Sequence, residues 1–367
     1  MKKTRNLIVG AGLSGAIIAR RLAEEKNEES LVIDKREHLG GNVYDYKEDN
    51  ITVHKYGPHI FHTDIKEVWD FLSRFTKWHL YMHRVRAVID GKEVNIPFNL
   101  DSLHKVFPKF LARKLEEKLL TNFAFNTKIP ILELKKIKDE DLNFLATYIY
   151  EKVFLGYTVK QWGLKPEELD FSVSARVPVY ISRDDRYFQD RYQGIPKEGY
   201  TKMIENILAH PLIEVRLNTE FKNCGIEYEK LYFSGAIDEF FEYKFGKLPY
   251  RSLTFVFESL ESEALLQSVS QMNYPQNYDF TRIVEYKHFL KEKSDKSIIS
   301  YEFPCDFEEG LNERYYPVPN EENEALYQSY LTEAKELKNV YFLGRLGDYK
   351  YYDMDKTVHR ALNFNLD

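Results

Sequence analysis

The stretch Asn6-Leu7-Ile8-Val9-Gly10-Ala11-Gly12-Leu13-Ser14-Gly15 decides how this chain begins to fold. A short apolar run feeds directly into Gly-x-Gly-x-x-Gly, and a helix-like stretch follows. Gly10 permits the tight turn off the strand. Gly12, lacking a Cβ, lets a pyrophosphate approach the backbone. Gly15 lets the helix pack close to the sheet. The orphan N–H groups and positive dipole end of that helix then face the phosphates. Such a glycine pattern is weak alone, and its surroundings must support it. Ala16 to Glu25 reads as an amphipathic helix, with Ile17, Ile18, Arg21 and Leu22 at helical spacing. Ser30-Leu31-Val32-Ile33-Asp34 reads as a second buried strand ending in an acid. That acid lies 19 residues past Gly15, where a ribose-binding carboxylate belongs. With strand, helix, strand and acid in place, a bound dinucleotide is a better reading than a bare glycine turn.

After Asp34 the chain runs Lys35-Arg36-Glu37-His38-Leu39-Gly40-Gly41-Asn42. An acid followed six residues later by a Gly-Gly pair resembles the extended fingerprint of FAD-binding proteins. A plain NAD domain does not require that second pair. Glycine pairs also mark ordinary turns, but this one sits where the flavin fold uses it. No other pair of glycines is spaced Gly-x-Gly, so a second nucleotide cradle for NAD(P)H is not visible. Nor is there a Cys-x-x-Cys to relay electrons. Both absences weaken a reading as a two-nucleotide oxidoreductase.

The chain's 367 residues suffice for two or three domains. Aromatics are abundant, with 27 Tyr and 25 Phe. No apolar run approaches the ~20 residues that cross a bilayer, and the first strand begins too early to leave room for a signal peptide. Cys224 and Cys305 have no metal-ligand spacing and fit a reduced compartment. A cytoplasmic protein without a membrane span is expected. The net charge of −6 argues against nucleic acid as a partner, and an anionic substrate must be held by local arginines.

The fold class expected is α/β: a Rossmann-like FAD-binding domain carrying an inserted helical-bundle domain and an inserted antiparallel β-sheet domain. Segments 1–76, 195–240 and 330–367 are assigned to the first, with Ile213–Leu217, Lys230–Gly235 and Asn339–Arg345 returning as strands to the first sheet. A helix from about Asp353 to Phe364 follows. Segment 77–165 reads as mainly helical, with Ser102, Thr127 and Asp139 as candidate caps or turn residues. Segments 166–194 and 241–329 read as antiparallel sheet, with strands from Phe171 to Tyr192, Arg251 to Glu258, Phe280 to His288 and Lys296 to Phe303.

Clusters of aromatics and arginines stand out along this frame. They are Gly156 to Gly163, Arg176, Arg186 to Gly194, Tyr278 to Arg282, Arg314 to Pro317, and Arg345 to Met354. Aromatic faces stack on bases and sugars, and arginine forks bind phosphate oxygens. Together they could hold a nucleotide diphosphate joined to a sugar, although most of the tyrosines must simply pack.

These stretches resemble the bacterial-type UDP-galactopyranose mutases. The resemblance runs from Gly10 to the C-terminal helix and is carried by GAGLSG, HLGGNVY, HKYGPHIFHT, GYTVKQWG, DRYQGIP, GYTKMIE, FTRIVEYKHF, ERYYPV and GRLGDYKYYDM. Asp34 stands where glutamate is more usual, and 100–150 matches less closely, which puts details of a dimer surface in doubt. The resemblance implies an isomerase converting UDP-galactopyranose to UDP-galactofuranose, a precursor for cell-surface polysaccharide, without net redox. Reduced flavin N5 attacks the anomeric carbon, UDP leaves, an iminium forms, the ring recloses and UDP returns. Arg176 and Arg282 would be the catalytic residues, holding the diphosphate with flavin N5 as nucleophile. Tyr187, Tyr316, Tyr351 and Asp353 would contact the phosphates. Tyr157 and Phe188 would frame the uracil, with Phe154 and Thr158 also lining the substrate. Gln161 and Trp162 would lie on a loop that closes over it. FAD would be held by Gly10, Gly12, Leu13, Ser14, Gly15, Asp34, Lys35, Gly41, Asn42, Pro58, His59, Ile60, Arg345, Tyr352, Asp353 and Met354. The family also implies a homodimer, and an external reductant such as NAD(P)H docking transiently.

His54, His59 and His62 have spacings of five and three. With no completing carboxylate and cysteine set, a metal is not expected. Three other readings stay open: a flavin oxidoreductase of an amine or alcohol, a non-catalytic nucleotide-sugar binder, and the same chemistry on UDP-N-acetylgalactosamine.

Overall fold

The computed structural model describes residues 3–169 and 178–366. The chain forms two compact units, residues 1–81, 190–250 and 314–367, and residues 82–189 and 251–313. The three-domain division expected from sequence stands as a proposal, and its bounds differ from those of these two units.

The first unit is built on a five-stranded parallel sheet. Its order is Ile213–Arg216, Ser30–Ile33, Lys3–Val9, Glu227–Phe233 and Val340–Phe342. A parallel sheet needs cover on both faces. Leu7, Leu31, Ile33, Leu231 and Phe233 form one buried cluster. The helix Leu13–Arg21 packs between Tyr200–Leu208 and Met354–Leu362. With neighbours on both sides it is buried throughout from Leu13 to Ala19, and so differs from the amphipathic helix expected. Only its end is polar: Arg20 and Arg21 pair with Glu24 and Glu25, each at 2.7 Å. Arg21 also donates to Ala361 O and Phe364 O at 2.9 and 2.8 Å, tying down the C-terminal helix. A hairpin of Asp45–Glu48 with Ile51–His54 and a sheet of Phe61–Thr63, Tyr192–Pro196 and Trp78–Leu80 complete this unit's β structure.

The second unit carries a mainly antiparallel sheet ordered Tyr250–Glu261, Lys296–Asp306, Arg282–Glu285, Gln271–Asn273, Val85–Ile89 and Lys92–Ile96. The last two strands fall in the segment read as mainly helical. Their sequence signal is the Asp90-Gly91 turn, with both residues at positive φ, 48° and 74°, while the alternation along Val85–Ile89 lies in its burial. Val85, Ala87 and Ile89 point into the helical core with Leu103, Leu115, Leu119, Leu142 and Leu145. Helix starts are capped by Asn99, accepting from Ser102 N–H, and by Asp139, accepting from Leu142 N–H. The cap is therefore Asn99 and not Ser102. Two further strand expectations are corrected. Between 178 and 191 only Val179–Tyr180 is a strand, and Phe280 to His288 ends as a short helix Lys287–Leu290 after four strand residues.

Among the described residues no helix is long and apolar enough to cross a membrane.

Candidate active site

Three glycine-bearing turns meet in the first unit. Gly10 turns at φ +104°, and a Cβ there would lie 2.1 Å from Ser234 Oγ. A Cβ on Gly15 would lie 1.9 Å from Gly10 O. These two glycines are required by the protein's own packing. Gly12 differs: the nearest atoms to a Cβ there would be Gly41 Cα at 3.6 Å, Gly40 O at 3.7 Å and Gly41 N at 3.9 Å, ordinary contacts. Its lack of a side chain leaves space that the fold does not itself use. Gly41 closes on it from the far side, at φ +55°. Gly40 N–H donates to Ala11 O at 3.0 Å. Gly344 approaches Ser14 and Ser234 from the C-terminal segment. Among the described residues no side chain caps the start of the helix Leu13–Arg21, so its first N–H groups and dipole suit an anion. The turn therefore fits a dinucleotide's pyrophosphate.

Asp34 is buried at the end of its strand, as expected for a ribose contact. Its Oδ2 accepts from Ala11 N–H at 2.8 Å and its Oδ1 from Arg36 N–H at 2.9 Å. Part of the carboxylate's capacity thus holds the glycine turn, and lone pairs remain for a hydroxyl. Arg36 was not singled out from sequence. Its guanidinium donates to Asn42 Oδ1 at 3.0 Å and lies 4.5 Å from the Tyr56 ring centroid. His38 stacks on Tyr44 at 3.8 Å and bonds Tyr56 Oη at 2.7 Å through Nε2. Its Nδ1 bonds Leu39 O, so Nδ1 carries the proton and Tyr56 donates. His38 thereby ties the Gly40-Gly41 loop to the loop bearing Pro58, His59 and Ile60.

His59 donates from Nδ1 to Gly57 O at 2.7 Å, and its backbone N–H donates to His54 Nδ1 at 2.9 Å. His54 is buried, and desolvation pulls it from 6.5 down to about 3. It is neutral in the fold, whereas the unfolded chain takes up its proton below 6.5. Stability is therefore expected to fall as pH drops through this window, by about 1.4 kcal/mol per pH unit at most. Replacing His54 by Gln, which still accepts from His59 N–H, should flatten that slope in urea unfolding. An unchanged slope would refute the assignment. Among the described residues no group of three or more His, Cys, Asp and Glu is arranged to hold a metal.

The C-terminal cluster also gathers in the first unit. Arg345 donates to Tyr315 O and Tyr352 O at 3.2 and 2.8 Å. It lies 5.4 and 5.8 Å from the Tyr316 and Tyr351 ring centroids. Those two rings meet edge to face at 5.2 Å. Tyr352 Oη donates to Asp348 at 2.6 Å. Asp353 is the residue before the helix Met354–Leu362, and its carbonyl accepts from Thr357. Lys35 is exposed beside this unit's acid-bearing strand.

In the second unit, Arg282 sits in a row of polar side chains running across three strands. Its cross-strand partners are Asn273 on one side and Glu302 on the other. Arg282 Nε and Nη2 both bond Glu302 Oε2, at 2.8 and 2.6 Å. Asn273 accepts from Gln271 at 2.9 Å, and both are buried. Tyr187 and Phe188 pack around His83, at 5.7 and 5.9 Å. Arg176 lies outside the described residues.

Gln161 and Trp162 were expected on a loop; both are instead buried in the last turn of a helix, Gly156–Trp162. A π-helical turn, Tyr150–Leu155, leads into it and places Phe154 in the helical core. Tyr157 and Thr158 are half-buried on the same helix. Arg251, which sequence reading missed, donates to Gln161 O and Lys160 O at 2.9 and 3.1 Å and pairs with Asp306. It thus caps the helix's orphan carbonyls. Lys160 donates to Tyr274 O and Phe280 O at 2.8 and 3.3 Å. Gly156 is needed here, since a Cβ would lie 2.4 Å from Pro275 O. No local pattern announces Arg251, Glu302, Asn273 or Gln271, because their partners come from distant strands.

A profile described as UDP-galactopyranose mutase matches residues 152–351. A probable UDP-galactopyranose mutase of Klebsiella pneumoniae is 37% identical, over 99% of this chain and 94% of that relative. The chain belongs to the UDP-galactopyranose mutase family. It is an isomerase. A dTDP-fucopyranose mutase of Escherichia coli is also 37% identical, over 97% of this chain and 96% of its own. Residues 8–75 match a profile described as an NAD(P)-binding Rossmann-like domain. Among solved structures, a reduced UDP-galactopyranose mutase has the same fold, with TM-score 0.73 and 14% identity over 99% of this chain and 93% of that one. A putative protoporphyrinogen oxidase from Exiguobacterium shares it at TM-score 0.64 and 12% identity, over 98% of this chain and 97% of its own. The fold alone therefore does not separate mutase from oxidoreductase; family membership does.

Proposed function

We propose that this chain interconverts UDP-galactopyranose and UDP-galactofuranose with FAD as its cofactor, active when reduced and without net redox. The observation that carries this reading is full-length similarity to a mutase, joined to a glycine cradle whose Gly12 leaves room for a pyrophosphate. Reduced FAD would supply a nucleophilic N5 for the anomeric carbon. Gly10, Gly12, Leu13, Ser14, Gly15 and Gly41 bind its pyrophosphate, Asp34 a ribose hydroxyl, and Arg36 keeps Asn42 in place. Lys35, Arg345, Tyr352, Asp353 and Met354 are further FAD contacts, and Pro58, His59 and Ile60 flank the isoalloxazine. Arg176 and Arg282 hold the diphosphate and stabilise it as it leaves and returns. Tyr187, Tyr316, Tyr351 and Asp353 add hydrogen bonds to it. Phe154, Tyr157, Thr158 and Phe188 shape the nucleoside site, and Gln161 and Trp162 shield it from water. An external reductant such as NAD(P)H docks transiently, and the working form is a homodimer.

The test is product analysis by mass and chromatography after incubating reduced protein with UDP-galactopyranose. Furanose product without stoichiometric loss of reductant is expected. Absence of isomerisation under conditions where UDP binds would sink the reading. A second reading, the same chemistry on a dTDP-linked 6-deoxy sugar, is favoured by the equally similar dTDP-fucopyranose mutase. Parallel assays with dTDP-fucopyranose and UDP-N-acetylgalactosamine discriminate the donors.

Trp162 offers a binding signal. UDP should change tryptophan fluorescence, and Trp162→Phe should remove most of that change. Trp69 and Trp78, stacked on each other at 4.4 Å, supply the constant background. A signal that survives in Trp162→Phe would show that this helix does not respond to the nucleotide.

A further inference from the structure

Arg282 is not a lone cation. Its strand pairs with Lys296–Asp306 so that Glu302 stands directly opposite. Thr281 locks this register, its N–H and Oγ1 both donating to Glu302 O, at 2.8 and 3.2 Å. The Glu302 side chain is 1% exposed and that of Arg282 is 17% exposed, so the carboxylate lies on the inner side of the pair. Burial pushes the Glu302 carboxyl above the ordinary glutamate range, with Arg282 pulling against it. In its ionised form, held by Arg282, this carboxylate opposes the binding of an anion at the same arginine. A fold that needed only a firm grip on phosphate would place a neutral acceptor there.

We propose that Glu302 is a positioning residue that sets how tightly Arg282 grips the diphosphate, by fixing its guanidinium and offsetting its charge. The inference rests on the reading of Arg282 as a diphosphate contact. It has a chemical purpose in that reading: the same UDP must be released from the sugar and given back to it in each cycle. A guanidinium held by two nitrogens on one carboxylate oxygen keeps its plane while its net charge is tempered. Tight ground-state holding of UDP would not speed such a cycle.

The geometry supplies a clean substitution. Both arginine nitrogens bond the same oxygen, Oε2, and Oε1 is buried without a hydrogen-bond partner among the described residues. Glu302→Gln can therefore keep both bonds through its carbonyl oxygen and remove the charge, its NH2 group taking the place of Oε1. Binding of UDP to Glu302→Gln by calorimetry is expected to be about three- to tenfold tighter than to the native protein. KM for the UDP-sugar should fall in parallel and kcat should fall with it, while the thermal midpoint changes little. Unchanged or weaker UDP binding in a folded Glu302→Gln protein would overturn the proposal, since a purely structural carboxylate gives that result. The double variant Arg282→Ala with Glu302→Gln buries no unpaired charge and so keeps the test valid if a single variant misfolds. Native-like UDP affinity in that double variant would instead overturn the reading of Arg282 itself. At least tenfold weaker binding there, with tightening in Glu302→Gln, supports both.

Discussion

Arg282→Ala is expected to lower turnover by roughly a hundred- to a thousandfold, even at saturating UDP-sugar. The interaction lost is one that matters as charge develops on the departing diphosphate. A mere binder would show only weaker affinity, recoverable at high ligand concentration. The substitution also has a structural consequence. Glu302, 1% exposed, loses both arginine bonds, and breaking a buried pair costs about 3–5 kcal/mol. Activity and thermal unfolding should therefore be read together. Turnover within tenfold of native in a folded variant would remove Arg282 from the catalytic assignment.

The second large effect concerns the glycine cradle, where Gly12→Ala and Gly15→Ala should behave differently. Gly15→Ala drives a Cβ to 1.9 Å from Gly10 O, and neither backbone group can move without opening the turn. Loss of cofactor and a clearly lower thermal midpoint are expected together. Gly12→Ala introduces only ordinary contacts with Gly40 and Gly41. The apo protein should unfold at nearly the native temperature, yet purify without flavin, because the added methyl occupies the pyrophosphate's approach. Flavin absorbance per protein, with melting curves in the presence and absence of added FAD, checks both. A Gly12→Ala protein that retains native flavin content would show that the cofactor does not pass there.

Much of the first unit is legible from local pattern. The glycine turn, the acid ending Ser30–Ile33 and the returning strands Ile213–Arg216 and Glu227–Phe233 all have short-range signatures, and they form one parallel sheet. The hairpin Val85–Ile89 with Lys92–Ile96 was legible too, through Asp90-Gly91, but lay hidden in a segment dominated by helical periodicity. The helix Leu13–Arg21 was misjudged as amphipathic because periodicity cannot reveal that two other helices cover it. Gln161 and Trp162 were expected on a loop from the family resemblance and not from any local pattern. Their helix is secured by Arg251, ninety residues away.

The chemistry that the chain can offer is written in its residue order: a dinucleotide turn, a second glycine pair, and arginines and tyrosines suited to a diphosphate. These follow from residue type at fixed short spacing, where backbone sterics and charge act locally. Folding in three dimensions sets which glycines serve the fold and which leave space, since Cβ clearance at Gly10 and Gly12 depends on Ser234 and on Gly40 and Gly41, atoms from other segments. It alone set Glu302 opposite Arg282, because strand register pairs residues twenty positions apart. The charge of a binding arginine is a property of its neighbours in space, and those neighbours are chosen by the sheet.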